Sequence, residues 1–118
     1  MIICIQKLDG TEENITLLRD EIPIPSVVAS YMMNDSIGVI RVNRFSNQTY
    51  KEFMQALEAL KGEGLDDLII DVRGNPGGYL QETVKILSQF ILAKDELLVY
   101  TEGEHSKRQD YKSNGRVF

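Results

Sequence analysis

Eight consecutive residues, Asp71-Val72-Arg73-Gly74-Asn75-Pro76-Gly77-Gly78, have the types and spacing to do chemistry. The run follows the apolar stretch Leu68-Ile69-Ile70 and precedes an amphipathic one. It is therefore expected at the carboxyl end of a strand, opening onto a helix, where α/β sheets gather ligands and reactive groups. Gly77 and Gly78 can take conformations closed to other residues, so their N–H groups can point into open space. A helix starting just beyond adds partial positive charge. Together these make a nest for an anion: a phosphate, a carboxylate or a developing oxyanion. Pro76 stiffens the approach, and Arg73 either joins the site or braces the loop.

Three readings of the loop compete. A nucleotide site calls for Gly-x-Gly-x-x-Gly, or for the pattern ending Gly-Lys-Ser/Thr, and the loop matches neither. An oxyanion hole needs only well-aimed backbone amides, which this loop could supply. The plainest reading is a tight strand-to-helix turn that uses its glycines for geometry alone.

The other polar candidates are weaker. His105 lies in a polar turn and reads as a surface residue. Asp71 and Arg73 project from the same strand face and are expected to form an orienting ion pair. Glu82, one turn into a helix, suits a structural role near the positive dipole end. Ser36, Ser46 and Ser88 lack a Gly-x-Ser-x-Gly elbow. No nucleophile–base pair is visible. Cys4 is the single cysteine, so neither an internal disulfide nor Cys₂His₂ or Cys₄ zinc ligation can be built. It reads as a small buried hydrophobe. No cofactor or metal is expected.

The elements that must position the loop follow from periodicity and punctuation. Residues 2–8 and 14–19 read as a terminal hairpin turning at Asp9-Gly10. Ile22-Pro23-Ile24-Pro25 reads as a linker, since each proline removes a backbone donor and extends its predecessor. Strands are expected over 27–33 and 36–43, the second covered on both faces. Thr49-Tyr50-Lys51-Glu52 has the form of a capping box, opening a helix with Tyr50, Phe53, Met54, Leu57 and Leu60 on one face. Gly62 and Gly64 end it. A strand over 67–72 leads into the loop. A second helix is expected over 79–92, striped by Leu80, Val84, Leu87 and Ile91, followed by strands over 96–101 and 107–112. The β-α-β-α-β order argues for an α/β layer with parallel strands.

Composition narrows the rest. At 118 residues, 42% hydrophobic and 26% charged, the chain is an ordinary globular domain rather than a disordered segment. Its net charge is −5, with no stripe of Lys or Arg, so nucleic acid is not an expected partner.

At the glycine loop the sequence resembles the carboxy-terminal processing, or tail-specific, serine peptidases. The matching run includes Ile37-Gly38-Val39-Ile40-Arg41-Val42, Phe45-Ser46, the helix over 49–60, and Leu68 through Gly78. Leu98-Val99-Tyr100-Thr101-Glu102-Gly103 continues it. Upstream, Ile15-Thr16-Leu17-Leu18-Arg19-Asp20-Glu21-Ile22 and Ser26-Val27 resemble the last PDZ strand and its exit into a catalytic core.

The resemblance implies a partial core of the crotonase/Clp-protease type over 26–118, preceded over 1–25 by a hairpin and linker left from a PDZ module. It implies polypeptide C-termini as substrate and a bacterial periplasm or cell envelope as location. The family's nucleophile is a serine in a Gly-Ser-Ala-Ser-Ala-like segment, with a lysine as general base and a glutamine orienting it; none of these motifs occurs in the 118 residues. What carries over is the loop, where Gly77 or Gly78 matches the backbone donor of the oxyanion hole. The chain is thus expected to be an excerpt that does not cleave peptides alone and that self-associates through uncovered surfaces. Two alternatives stay open: a non-catalytic fold holding peptides or retinoid-like apolar ligands, and a crotonase-like acyl-thioester enzyme. The PDZ-like exit and the lack of any coenzyme A cue disfavour the second.

Overall fold

A computed structural model describes residues 1–20 and 22–118; Glu21, within the run resembling a PDZ exit, lies outside the described residues. The chain opens with β1 (Ile2–Gln6) and β2 (Glu12–Thr16), an antiparallel hairpin placing Ile3 opposite Ile15 and Cys4 opposite Asn14. Its turn is local chemistry. Gly10 sits at φ +84°, and the Asp9 carboxylate accepts from both the backbone N–H and the hydroxyl of Thr11, at 3.0 and 2.6 Å. Those bonds, the hydroxyl's first, hold the Asp9 carboxyl below its usual range. No residue of either strand is buried, and the hairpin contacts no other element. Cys4 is accordingly exposed, not buried, because nothing lies over the hairpin to cover it. The radius of gyration, 20.8 Å, exceeds the ~13 Å of a compact chain of this length, as a hairpin standing away from the core requires.

The core is a three-stranded sheet in the order β3 (Val27–Met32), β4 (Ile37–Val42), β5 (Asp67–Asp71). β3 runs antiparallel to β4, while β4 and β5 are parallel and joined through α1 (Thr49–Gly62). The expected helix face forms: Phe53, Leu57 and Leu60 are buried on Ile40 and Val42, with Tyr50 and Met54 partly buried beside them. Each such side chain contributes about 1.5–3 kcal/mol by leaving water. Gly64, at φ +98°, closes the helix with its N–H on the Lys61 carbonyl at 3.2 Å. Ile86 of α2 (Leu80–Ser88) completes the cluster, and Phe90 meets Phe53 edge-on at 6.2 Å.

Three expectations are corrected. The capping box does not form: the N-cap is Gln48, without a side-chain bond. Thr49 Oγ1 instead accepts the Ser46 N–H at 2.7 Å, and Glu52 Oε2 accepts those of Ser26 and Val27 at 2.6 and 2.9 Å. Glu52 thus holds the start of β3, whose amides would otherwise lose their partner. The second helix is shorter than expected, and its buried positions are Glu82, Ile86 and Ser88; Leu87 is exposed because Ile86, not Leu87, enters the cluster with Phe53 and Leu57 of α1.

β4 is covered by a helix on one face only: Ile40 and Val42 meet α1, while on the far side Val39 is buried but Tyr31, Met33, Ile69 and Val72 around it are exposed. Finally, the parallel arrangement does not extend through β6 (Lys94–Gly103). That strand forms an antiparallel hairpin with β7 (Ser106–Asn114), apart from the three-stranded sheet. Only Glu104 and His105 separate the two, so closing this pair costs little chain entropy. Ser88 ties the hairpin to α2, its hydroxyl donating to Asn114 Oδ1 at 2.9 Å and accepting the Asn114 N–H at 3.0 Å.

Candidate functional site

The glycine loop leaves the carboxyl end of β5 and enters α2, as expected. At its start the Asp71 carboxylate accepts from Arg73 three times: backbone N–H at 3.0 Å, Nε at 3.0 Å and Nη2 at 2.8 Å. This is the expected ion pair, and it is bidentate. The side-chain bonds from Arg73 lead, followed by its backbone N–H and by the charges of Arg73 and Arg41, in holding the Asp71 carboxyl far below the usual range. Arg73 therefore braces the loop's entry. It remains largely solvent-exposed on its other side.

Beyond it the chain turns, with the Asn75 N–H on the Val72 carbonyl at 3.1 Å and Gly74 at φ +74°. The Asn75 side chain then works in two directions. Its Nδ2 donates to the Val42 carbonyl at the end of β4, at 2.9 Å, while its Oδ1 accepts the Gly77 N–H at 2.7 Å. Gly77 and Gly78 follow at φ +100° and +143°, conformations that an L side chain would strain.

The backbone of Phe45 grips the pair from the other side. Its N–H donates to the Gly77 carbonyl at 2.9 Å and its carbonyl accepts the Tyr79 N–H at 2.8 Å, an isolated parallel bridge to Gly78. A Cβ on Gly78 would collide with the Phe45 carbonyl, so only glycine fits. Gly78 is exposed, and its N–H has no hydrogen-bond partner among the described residues.

Beneath the loop lies Glu82, buried one turn into α2. Its Oε2 accepts the Tyr50 N–H at 2.9 Å, an amide in the first turn of α1 that the helix cannot satisfy itself, and its Oε1 meets Lys85 Nζ at 2.7 Å. Burial alone would push the Glu82 carboxyl up; the bonds from Lys85 and Tyr50 and the Lys85 charge outweigh it, leaving the group below its ordinary value. Glu82 is therefore structural, as expected.

The remaining candidates do not join the loop. His105 is exposed in the β6–β7 turn. Ser46 Oγ is bonded to Ser26 Oγ at 2.7 Å, Ser36 lies in the Asn34 turn, and Ser88 is tied to Asn114. Among the described residues no cluster of His, Cys, Asp and Glu could hold a metal. Residue-by-residue reading assigned no role to the Asn75 side chain or the Phe45 backbone. The Asn-x-Gly spacing is a recognisable Asx-turn signal for the first; the second has no local signal, because the pairing is formed by residues 33 positions apart.

The solved structure of a photosystem II D1 C-terminal processing protease has this fold, with a TM-score of 0.64 over 93% of this chain and 31% of that one, at 19% identity. Residues 36–117 match peptidase family S41, and the chain belongs to that family. It is 36% identical over 108 residues to the carboxy-terminal processing protease CtpB of Bacillus subtilis, covering 88% of this chain and 22% of that protein. It is 34% identical over 113 residues to a carboxyl-terminal-processing protease of Synechocystis, covering 92% and 26%. The chain thus spans about a quarter or less of the length of these curated relatives.

Proposed function

We propose that this chain supplies the oxyanion-binding portion of a serine-type endopeptidase that trims polypeptide C-termini. The Gly77–Gly78 loop contributes one backbone donor to the developing oxyanion, and the serine nucleophile and lysine base come from sequence outside these 118 residues. The observation that carries this reading is the loop's form. Gly77 and Gly78, both at positive φ, lie between the end of β5 and the start of α2, gripped by Phe45 and offering an exposed amide that has no partner among the described residues. Such a preorganised donor stabilises charge that appears only in the transition state. Family membership and the names of the relatives support the reaction and the substrate class.

On the same reading, residues 26–118 are the opening part of a crotonase/Clp-type core, and residues 1–25 are the closing hairpin and linker of a PDZ module. The independence of the β1–β2 hairpin from the core supports that division. The uncovered sheet face supports self-association of the isolated chain; light scattering at high concentration is expected to show oligomers, and a clean monomer counts against it.

A second reading is favoured by one observation. The open sheet face holds a cavity of about 450 Å³ lined by Tyr31, Met33, Val39, Ile69 and Val72, with Asp71 and Arg73 at its rim. A non-catalytic member of the fold could hold a peptide or apolar ligand there. Incubation with an unstructured, apolar-tailed peptide separates the two. The peptidase reading expects no cleavage by the 118-residue chain and cleavage by the full-length protein that serine reagents abolish. Binding without turnover by the full-length protein overturns it in favour of the second.

A further inference from the structure

Two neighbouring glycines both carry amides that could serve the proposed site, and the structure treats them differently. The Gly77 N–H is consumed by Asn75 Oδ1 at 2.7 Å, whereas the Gly78 N–H is free among the described residues. We infer that Asn75 is a positioning residue that withdraws the Gly77 amide and presents that of Gly78. The inference rests on the oxyanion reading above for its function, but its geometry stands apart from that reading.

The orientation of the amide is forced by its neighbours. Nδ2 faces the Val42 carbonyl at 2.9 Å and Oδ1 faces the Gly77 N–H. Turning the group over would set donor against donor and acceptor against acceptor. The side chain therefore clips the loop to the end of β4 and orients the Gly77 peptide in one stroke. Phe45 completes the clamp: it binds the Gly77 carbonyl and the Tyr79 N–H, so the peptide groups on both sides of Gly78 are held and its own N–H lies between fixed points. The free donor is preorganised by Asn75 from upstream and by Phe45 from across the loop, a condition for transition-state stabilisation.

The test is amide hydrogen exchange on the ¹⁵N-labelled 118-residue chain and its Asn75 variants. In the native chain Gly77 is expected to exchange at least tenfold more slowly than Gly78. Asn75→Ala should raise the Gly77 rate about tenfold while Phe45 and Tyr79 keep their protection. Asn75→Asp keeps an acceptor for the Gly77 N–H but, while ionised, sets its second oxygen against the Val42 carbonyl; only the protonated carboxyl reproduces both bonds, so Gly77 protection should be weakened near neutral pH and recover as the carboxyl protonates. That pH profile is one that a merely structural role would not produce, and it remains readable if the alanine variant fails to fold. Equal exchange of Gly77 and Gly78 in the native chain overturns the inference, as does uniform acceleration of all loop amides in the folded alanine variant. In the full-length protein, Asn75→Ala should lower kcat at least tenfold with KM within twofold. Selective exchange in a full-length protein that cleaves nothing sinks the oxyanion reading and leaves the positioning role standing.

Discussion

The β1–β2 hairpin and the β3–β4–β5 layer are written in similar residues, with β-branched and apolar runs punctuated by Asn, Asp and Gly. In the hairpin every strand residue is exposed and no other element touches it. In the layer, Ile40 and Val42 lose nearly all contact with water against Phe53 and Leu60 of α1. The difference is a second layer: α1 covers one side of the sheet with α2 packed against it, and no other described element touches the hairpin. Strand propensity and turn chemistry suffice to write a hairpin, but burial needs an opposing surface. The three-stranded sheet holds both conditions at once, packed on its α1 face and open on the face around Val39.

Substitutions that probe the two regions should differ steeply. The largest loss is expected from Phe53→Ala, which empties a fully buried site and strands the ring of Phe90. It should cost about 3–5 kcal/mol in urea denaturation, while the amide spectrum of residues 2–16 stays in place. Movement of the hairpin signals would break the separation of the two regions.

An intermediate loss is expected from Glu82→Gln, which abolishes the ion pair to Lys85 in a buried setting while keeping an acceptor for Tyr50. At pH 7 it should cost about 1–3 kcal/mol. The Glu82 carboxyl sits below its unfolded value of about 4.3. Its contribution is therefore fully present above that pH and is lost as pH falls through the lower folded value. Denaturation at pH 7 and pH 3 should accordingly show the gap between native and variant narrowing in acid; a gap unchanged by pH would remove the charge from the account. The smallest effect belongs to Cys4→Ser. On an exposed strand it should shift stability by no more than about 0.5 kcal/mol. A larger loss would mean that the hairpin packs on the core after all.

Much of the core was legible in the residues themselves. The spacing of Phe53, Leu57 and Leu60 announced the buried face of α1, Gly64 its end, and Asp9-Gly10 the first turn, because each depends on neighbours within a few positions. The glycine loop was legible for the same reason, and so was the pairing of Asp71 with Arg73, two residues apart on one strand face. Thr49 to Glu52 shows where local reading stops. The capping pattern is present, but Glu82 from another helix satisfies Tyr50, and Glu52 is taken by the start of β3. Cys4 shows the converse, an apolar-looking strand position with nothing to bury it.

The sequence by itself determined the elements near the site, the glycines at its centre and the family to which the chain belongs, all carried by contiguous residues. Tertiary structure decided which carboxylate caps α1, that β6 turns away to pair with β7, and which of two adjacent amides is left free among the described residues. The last outcome depends on a carbonyl at Val42 and a backbone at Phe45, more than thirty residues from the loop. No local pattern carries those contacts, since they exist only once β4 and β5 lie side by side.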